Sequence, residues 1–381
     1  MVFKTILTFI LVVYVITGKS QLGFTQQVID TTISIGYGIA LADVDGDGKT
    51  DILLADSKQF VWYRNGDWKK FLMAENLTEH DNVCIAARDI NGDGKAEVAV
   101  GAQWNPGETS DDQQSGAVFY LVRPADPTQL WKAIELHHET TVHRMQWVQS
   151  GIGRYYLVVA PLHGKGNKNG EGAGSKILAY HYATSPEGEW AIDTLENGMH
   201  LTHNFFRIEK NGYSLYIAGK EGITLLHENG KYITRDKLTP TGMKRGAGEV
   251  VVGKLNGSKN FIATIEPMHG NELVVYINNF KERISLDTTF KEGHAIGAGD
   301  FLHLGYEQIV AGWRNPNQQG KVGIKLYAMK DKAGKTWESS WIDENGMACE
   351  DLKIADLNGD HKPDIVASGR ATHNVKIYWG Q

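Results

Sequence analysis

Residues 39–55 read IALADVDGDGKTDILLA, from Ile39 to Ala55. A strand of alternating character runs into a loop of aspartate and glycine, and a short apolar strand leaves it. The unit returns as IAARDINGDGKAEVAVG from Ile85 and as LKIADLNGDHKPDIVAS from Leu352. A weaker copy, IGAGDFLHLGYEQIVAG, starts at Ile296. Three more copies keep the shape and have lost the acids: RMQWVQSGIGRYYLVVA from Arg144, NFFRIEKNGYSLYIAG from Asn204 and EVVVGKLNGSKNFIAT from Glu249. Self-similarity at a period of about fifty residues marks a propeller or an array.

A third strand follows each copy, as at 60–63, 117–121, 176–180, 224–227, 273–277, 323–327 and 375–378. A fourth, exposed strand follows six of them, at 68–73, 131–137, 190–195, 231–237, 281–287 and 337–343. The seventh has none before the chain ends at Gln381. The segment Thr25–Ile33 has the same character and no inner strand before it. The expected fold is therefore an all-β, seven-bladed β-propeller. Its ring is closed by the N-terminal strand pairing with the last blade, which removes free sheet edges. A sandwich rarely needs seven such units, and a solenoid carries polar caps where these ends look complementary. No linker divides residues 22–381, which read as one domain.

Composition agrees with a folded, exported protein. The 381 residues are 41% hydrophobic and 22% charged, with 43 glycines and 9 prolines. Lys4, an apolar run from Ile6 to Thr17, then Gly18 and Ser20 predict a signal peptide over residues 1–20, cleaved before Gln21. That run is short for a membrane span, and no other segment could cross one. Export to the periplasm or the exterior is expected. The formal charge of −6 excludes a phosphate-backbone partner, which needs a basic stripe. Cys84 and Cys349 fall on inner strands of separate blades and are expected as two buried free thiols.

The sharp loops carry a cation pattern. Asp43, Asp45, Asp47 and Asp51 occupy loop positions one, three, five and nine, with the Lys49 carbonyl at seven. The second loop offers Asp89, Asn91, Asp93, the Lys95 carbonyl and Glu97. The third offers Asp356, Asn358, Asp360, the Lys362 carbonyl and Asp364. Alternating oxygen donors bent by glycine suit calcium, which takes six to eight oxygens. No EF-hand acid stands at position twelve, where Leu54, Val100 and Ala367 lie. These loops resemble FG-GAP/VCBS repeats, and up to three structural calcium ions are expected.

The opposite face collects ten of the 14 histidines: His80, His137, His138, His143, His163, His200, His203, His269, His294 and His373. Arg144, Arg245, Arg314, Arg370, Glu249, Glu266, Glu350 and Asp351 join them, with Trp104 and Trp313 on long loops. His143, His203 and His294 begin inner strands of three blades, and Glu266 with His269, in IEPMHG, reaches the same centre from a fourth. Such a set suits zinc or a similar divalent ion. Tryptophan in a cleft suits the C–H face of a sugar.

With VHRMQWV from Val142, IEPMHG from Ile265 and AGWRN from Ala311, the chain resembles the propeller domain of the aldos-2-ulose dehydratase family. The resemblance implies metal-assisted elimination of water from a keto-sugar such as 1,5-anhydrofructose. The fungal enzyme that defines the family also carries a cupin-type region, and nothing here matches one. The expected roles follow. His143, His203, Glu266 and His269 hold a catalytic divalent metal, and His294 or His80 is the base. Arg144 and Arg245 assist, while Trp104, Trp313, Arg314 and His163 bind a carbohydrate substrate. A polysaccharide lyase acting on uronic acids and a non-catalytic glycan- or protein-binding propeller are the competing readings.

Overall fold

The computed structural model describes residues 23–381 except 184, 231, 239, 256 and 258. The expected signal segment lies outside the described residues. All regular structure described is strand, in seven four-stranded antiparallel sheets. Strand β1 (Phe24–Asp30) pairs with β28 (Asn374–Gly380) from Phe24↔Gly380 to Asp30↔Val375. The ring is thus closed between the two ends of the described chain, as the repeat pattern implies. The innermost strands are β2 (Gly38–Ala42), β6 (Cys84–Arg88), β10 (Val142–Gln149), β14 (Thr202–Glu209), β18 (Glu249–Lys254), β22 (Gly293–Gly299) and β26 (Cys349–Ala355).

The core consists of layers between blades. Each of seven buried apolar clusters joins one blade to the next. One example sets Ile39, Ile52, Leu54 and Val61 of the first blade against Val366, Val375 and Ile377 of the last. No blade can bury its two faces alone, so the ring must close for any of them to be covered. Cys84 and Cys349 are buried and free.

A repeated polar fastening crosses these layers. An aspartate ending the outer strand of one blade accepts from a tyrosine on the third strand of the next. Tyr63 donates to Asp30 at 2.6 Å, Tyr327 to Asp287 at 2.8 Å and Tyr378 to Asp343 at 2.8 Å. Lys70, Lys325 and Lys376 supply the matching cations at 2.9, 2.9 and 2.7 Å. Burial pushes the Asp30 carboxyl up, but the bonds from Lys70, Tyr63 and Thr32 prevail and hold it at about 2.

The Asp/Gly loops join the first two strands of their blades, on the face opposite the inner-strand heads. Asp43 accepts from Gly46 and Gly48, Asp89 from Gly92 and Gly94, and Asp356 from Gly359 and His361. Gly48 and Gly94 have φ near +80°, and His361 holds +66° at the same position. Burial, reinforced by Asp45 and Asp43, pushes the Asp51 carboxyl up to about 7. Asp300 binds Leu304 and Gly305 in the same manner in a loop with no acid at positions three and five. The backbone turn therefore forms without acids at positions three and five, held by the aspartate at position one and by Gln308 at position nine, which accepts from the Leu302 amide at 2.9 Å.

Asp30→Ala removes the fastening at the closure and leaves Lys70 and Tyr63 unmatched. Urea denaturation should show a loss of about 3 kcal/mol at pH 7. A carboxylate held at about 2, against the ordinary 3.8, stabilises the fold above pH 3.8 and ceases to do so as the pH falls through 2. The gap between the two proteins should narrow over that window.

Candidate metal centre

Four inner strands carry an extra residue at their heads. In β10 the pairing passes from Val142↔Pro161 to Arg144↔Ala160, so His143 is bulged. In β14 it passes from Thr202↔Gly219 to Phe205↔Ile217, which frees His203 and Asn204. In β22 it passes from Gly293↔Trp313 to Ala295↔Gly312 around His294, and in β26 from Cys349↔Gly369 to Asp351↔Ser368 around Glu350. The inner strands of the first, second and fifth blades pair without interruption. A bulge re-aims a side chain out of the pleat alternation, and here four bulges deliver three histidines and a glutamate to one centre.

His143 donates from Nδ1 to the His203 carbonyl at 2.8 Å, His203 to the Gly248 carbonyl at 3.1 Å, and His294 to the Glu350 carbonyl at 2.6 Å. A carbonyl only accepts, so each Nδ1 carries the proton and each Nε2 keeps a lone pair. Metal-binding histidines are oriented by this kind of second bond. His269, in the turn between β19 (Asn260–Glu266) and β20 (Glu272–Ile277), completes the group. Its Nε2 is 2.8 Å from His203 Nε2, and its ring lies 4.9 Å from that of His294. His203, His269 and His294 each offer one nitrogen, all within 4.8 Å of one another.

This donor set fits a divalent cation of borderline softness. Burial, with the charges of Arg144 and Arg314 nearby, drives His203 and His294 well below the ordinary imidazole value. Burial and the same surroundings lower His269 to about 2. All three nitrogen lone pairs are thus free of protons in the neutral range. Arg314 Nη2 lies 3.3 Å from His269 Nδ1. A metal on His269 Nε2 leaves the ring proton on Nδ1, so that contact and the metal compete.

His143 stands beside the trio, its ring 4.7 Å from that of His203 and stacked at 4.9 Å on Trp104. Arg144 Nη1 lies 3.1 Å from its Nε2. Burial first, then Arg144, keeps His143 neutral. Behind the rings, Glu350 accepts from Arg314 at 3.2 Å and Arg370 at 3.0 Å, and Arg314 is also held by Glu292 at 2.9 Å. Glu249 Oε2 accepts from Asn204, while Oε1 takes no hydrogen bond although it stands 2.9 Å from His203 Nδ1. Burial raises the Glu249 carboxyl to about 8.

Several expected residues lie elsewhere. Glu266 points away from the cluster, where Thr264, Tyr276 and Arg283 bind its carboxylate at 2.8, 2.6 and 2.9 Å. His294, expected as the base, stands in the cluster with His203 and His269. Trp313 is fully buried and stacks on Phe290 at 4.6 Å, so it is core and offers no sugar platform. Arg245 is exposed, and its charge acts on Glu272 outside the cluster. The His80 backbone binds Gln103, and no ring contact joins it to the cluster. His163 is half-buried in the neighbouring loop, its Nδ1 without a partner. Trp104, Arg144 and Arg314 do flank the histidines. The sequence placed Glu350 on this face without a specific role and did not single out Glu292 or Asn204, because nothing in it marks a bulge.

Fold and site together define a seven-bladed propeller with a histidine cluster at one end of its axis. Residues 43–100 match the FG-GAP-like repeat model and 85–121 the FG-GAP repeat model. Residues 115–279, which carry His143, His203 and His269, match the model of the aldos-2-ulose dehydratase β-propeller domain. Among solved structures, a chain of the Mitotic Checkpoint Complex is similar at 12% identity and TM-score 0.59, covering 98% of both chains. Crystal structures of BBS1N in complex with ARL6DN, soaked with mercury or lead, are similar at 13% and 14% identity with TM-scores of 0.56 and 0.55. Each covers 95% of this chain and 97% of that one. At such identities the likeness is one of fold alone.

Because burial and neighbouring cations hold them neutral, the ring resonances of His143, His203, His269 and His294 in metal-free protein should not titrate between about pH 5 and pH 8. Histidine-selective NMR checks this, and a titration midpoint near 6.5 for any of the four would contradict the buried geometry.

Proposed function

We propose that this protein is an exported carbohydrate lyase of the dehydratase type, which eliminates water from a keto-sugar such as 1,5-anhydrofructose. The observation that carries the reading is the convergence of the His203, His269 and His294 nitrogens within 4.8 Å, in a chain matching the aldos-2-ulose dehydratase propeller domain over residues 115–279. Those three histidines hold a divalent metal, zinc or a similar ion. When bound, such an ion polarises a carbonyl oxygen and acidifies the neighbouring C–H.

The chain's own groups handle the proton and the leaving group. His143 is neutral, its Nδ1–H is fixed on the His203 carbonyl, and its Nε2 lone pair, which accepts from Arg144 Nη1 at 3.1 Å, takes the substrate proton when Arg144 turns to the substrate. Arg144 lies against that nitrogen and steadies developing negative charge. His143 returns that proton to the departing hydroxyl, which leaves as water, and Arg314, pinned by Glu292 and Glu350, steadies the charge on the leaving oxygen. Trp104 walls the site beside His143.

Calcium in the three Asp/Gly loops has a structural part in this reading. Asp43, Asp45 and Asp51 bring one oxygen each within 4.8 Å, and a cation relieves that crowding.

Two measurements test these proposals. Purified protein incubated with 1,5-anhydrofructose and related keto-sugars should develop the ultraviolet band of a conjugated enone. Chelation should abolish that band, and a divalent metal other than calcium should restore it. His203→Ala should lose the metal and at least about 100-fold of the rate; retention of both would defeat the ligand assignment. Separately, excess calcium chelator should lower the melting temperature by roughly 5 °C or more. An unchanged melting curve would count against occupied loops.

A further inference from the structure

A pocket of about 180 Å³ opens between the third and fourth blades, room for a small ion and well short of a drug-sized ligand. Tyr156 and Tyr213 line it from the start of the second strands of these blades, β11 (Tyr155–Pro161) and β15 (Tyr213–Gly219). It therefore lies on the face of the Asp/Gly loops, away from the histidine cluster. The lining holds four aromatic rings, Tyr156, Tyr213, Tyr232 and His181, and two carboxylates, Asp193 and Glu228, with no lysine or arginine. Tyr156 and His181 meet at 4.7 Å with their planes 60° apart, which makes a corner of two rings. Tyr232 is 69% exposed, so its ring borders the opening. Asp193 Oδ2 lies 2.7 Å from His181 Nε2. Glu228 is 7% exposed; its oxygens accept from the Gly151 amide at 2.8 Å and from the Gly230 amide, and no cation pairs with it among the described residues. A carboxylate withdrawn from water without a counter-charge leaves a negative field in the space beside it. The Tyr213 phenol registers that field: burial first, then Glu228, Tyr156 and Asp193, raises it above the ordinary value.

We propose that this pocket binds a small quaternary ammonium ion with a neutral remainder, choline being the simplest example. Aromatic faces carry negative charge density and attract such a cation, most strongly where water is excluded. Its methyl groups need no hydrogen-bond acceptor. That suits a carboxylate whose oxygens are already engaged by backbone amides and which acts through its charge. A primary ammonium has several donors to place and fits less well. An anionic group on the ligand would face Glu228 and Asp193, which disfavours phosphocholine. The site is separate from the proposed elimination, since no residue of its lining belongs to the histidine cluster.

The test uses the full chain. Choline, tetramethylammonium, phosphocholine, glucose and the neutral isostere of choline, in which a tert-butyl group replaces trimethylammonium, are compared by calorimetry and ligand-detected NMR at up to about 10 mM. Choline and tetramethylammonium should bind at least about 10-fold more tightly than the other three. Tyr232→Ala, at a largely exposed position, should weaken choline by at least about 10-fold while circular dichroism stays that of wild type. Tyr232→Phe, which keeps the ring, should bind choline as wild type does. Asp193→Asn, which removes a charge at a second exposed position, should weaken choline by about 3-fold or more. No choline binding to wild type, equal binding of the neutral isostere or of glucose, or unchanged binding by Tyr232→Ala would each overturn the assignment. Phosphocholine bound as tightly as choline would overturn the choice of a free cation in favour of a zwitterionic headgroup.

Discussion

The pairing of β1 with β28 is the constraint on which everything else rests. Each blade buries its apolar faces only against its neighbours, so an open ring leaves two faces wet and two sheet edges unpaired. The Asp30–Tyr63–Lys70 fastening then ties the closed blade to the first one, repeating the device of Asp287 and Asp343. Closure also fixes the axis. Only in a closed ring do seven inner-strand heads face one another closely enough for residues 60 or more positions apart to share a centre, as His143 and His203 do.

That geometry explains why the site is built on bulges. A regular strand end would alternate its side chains between two interblade layers. One extra residue in β10, β22 and β26, and a longer irregularity in β14, turn His143, His294, Glu350 and His203 towards the axis instead. Two carbonyls at these bulges, those of His203 and Glu350, are then used by His143 and His294, while His203 uses the Gly248 carbonyl just ahead of the uninterrupted β18. Ring formation, bulging and imidazole orientation are one mechanical system.

Most of the fold was legible in the sequence because its signals are local. The strand–turn–strand unit recurs seven times, three of them with a full Asp/Gly loop, and expected strands such as 273–277 and 323–327 fall within the observed Glu272–Ile277 and Gly323–Met329. The site was legible in part. His143, His203 and His294 stand at strand heads, and position alone placed them near the axis. Glu266 and His269 share one turn, and no local rule says which of the two faces inward; Tyr276 and Arg283, from the outer strands of the same blade, claim Glu266. Trp313 ends a strand beside a long loop and looked available, yet Phe290 and Trp341 bury it. Glu350 went without a role because a bulge shifts side-chain parity without leaving a mark in residue type.

The central claim is that three imidazoles from separate blades bind one metal ion. X-ray absorption at the zinc edge, on protein given one equivalent of zinc with calcium in excess to occupy the acidic loops, addresses it most directly. The structure predicts a first shell dominated by imidazole nitrogen at about 2.0–2.1 Å, with three histidines' worth of outer-shell scattering. A shell of oxygen alone, unchanged by His203→Ala, would place the ion elsewhere and contradict the assignment of this cluster as a metal centre.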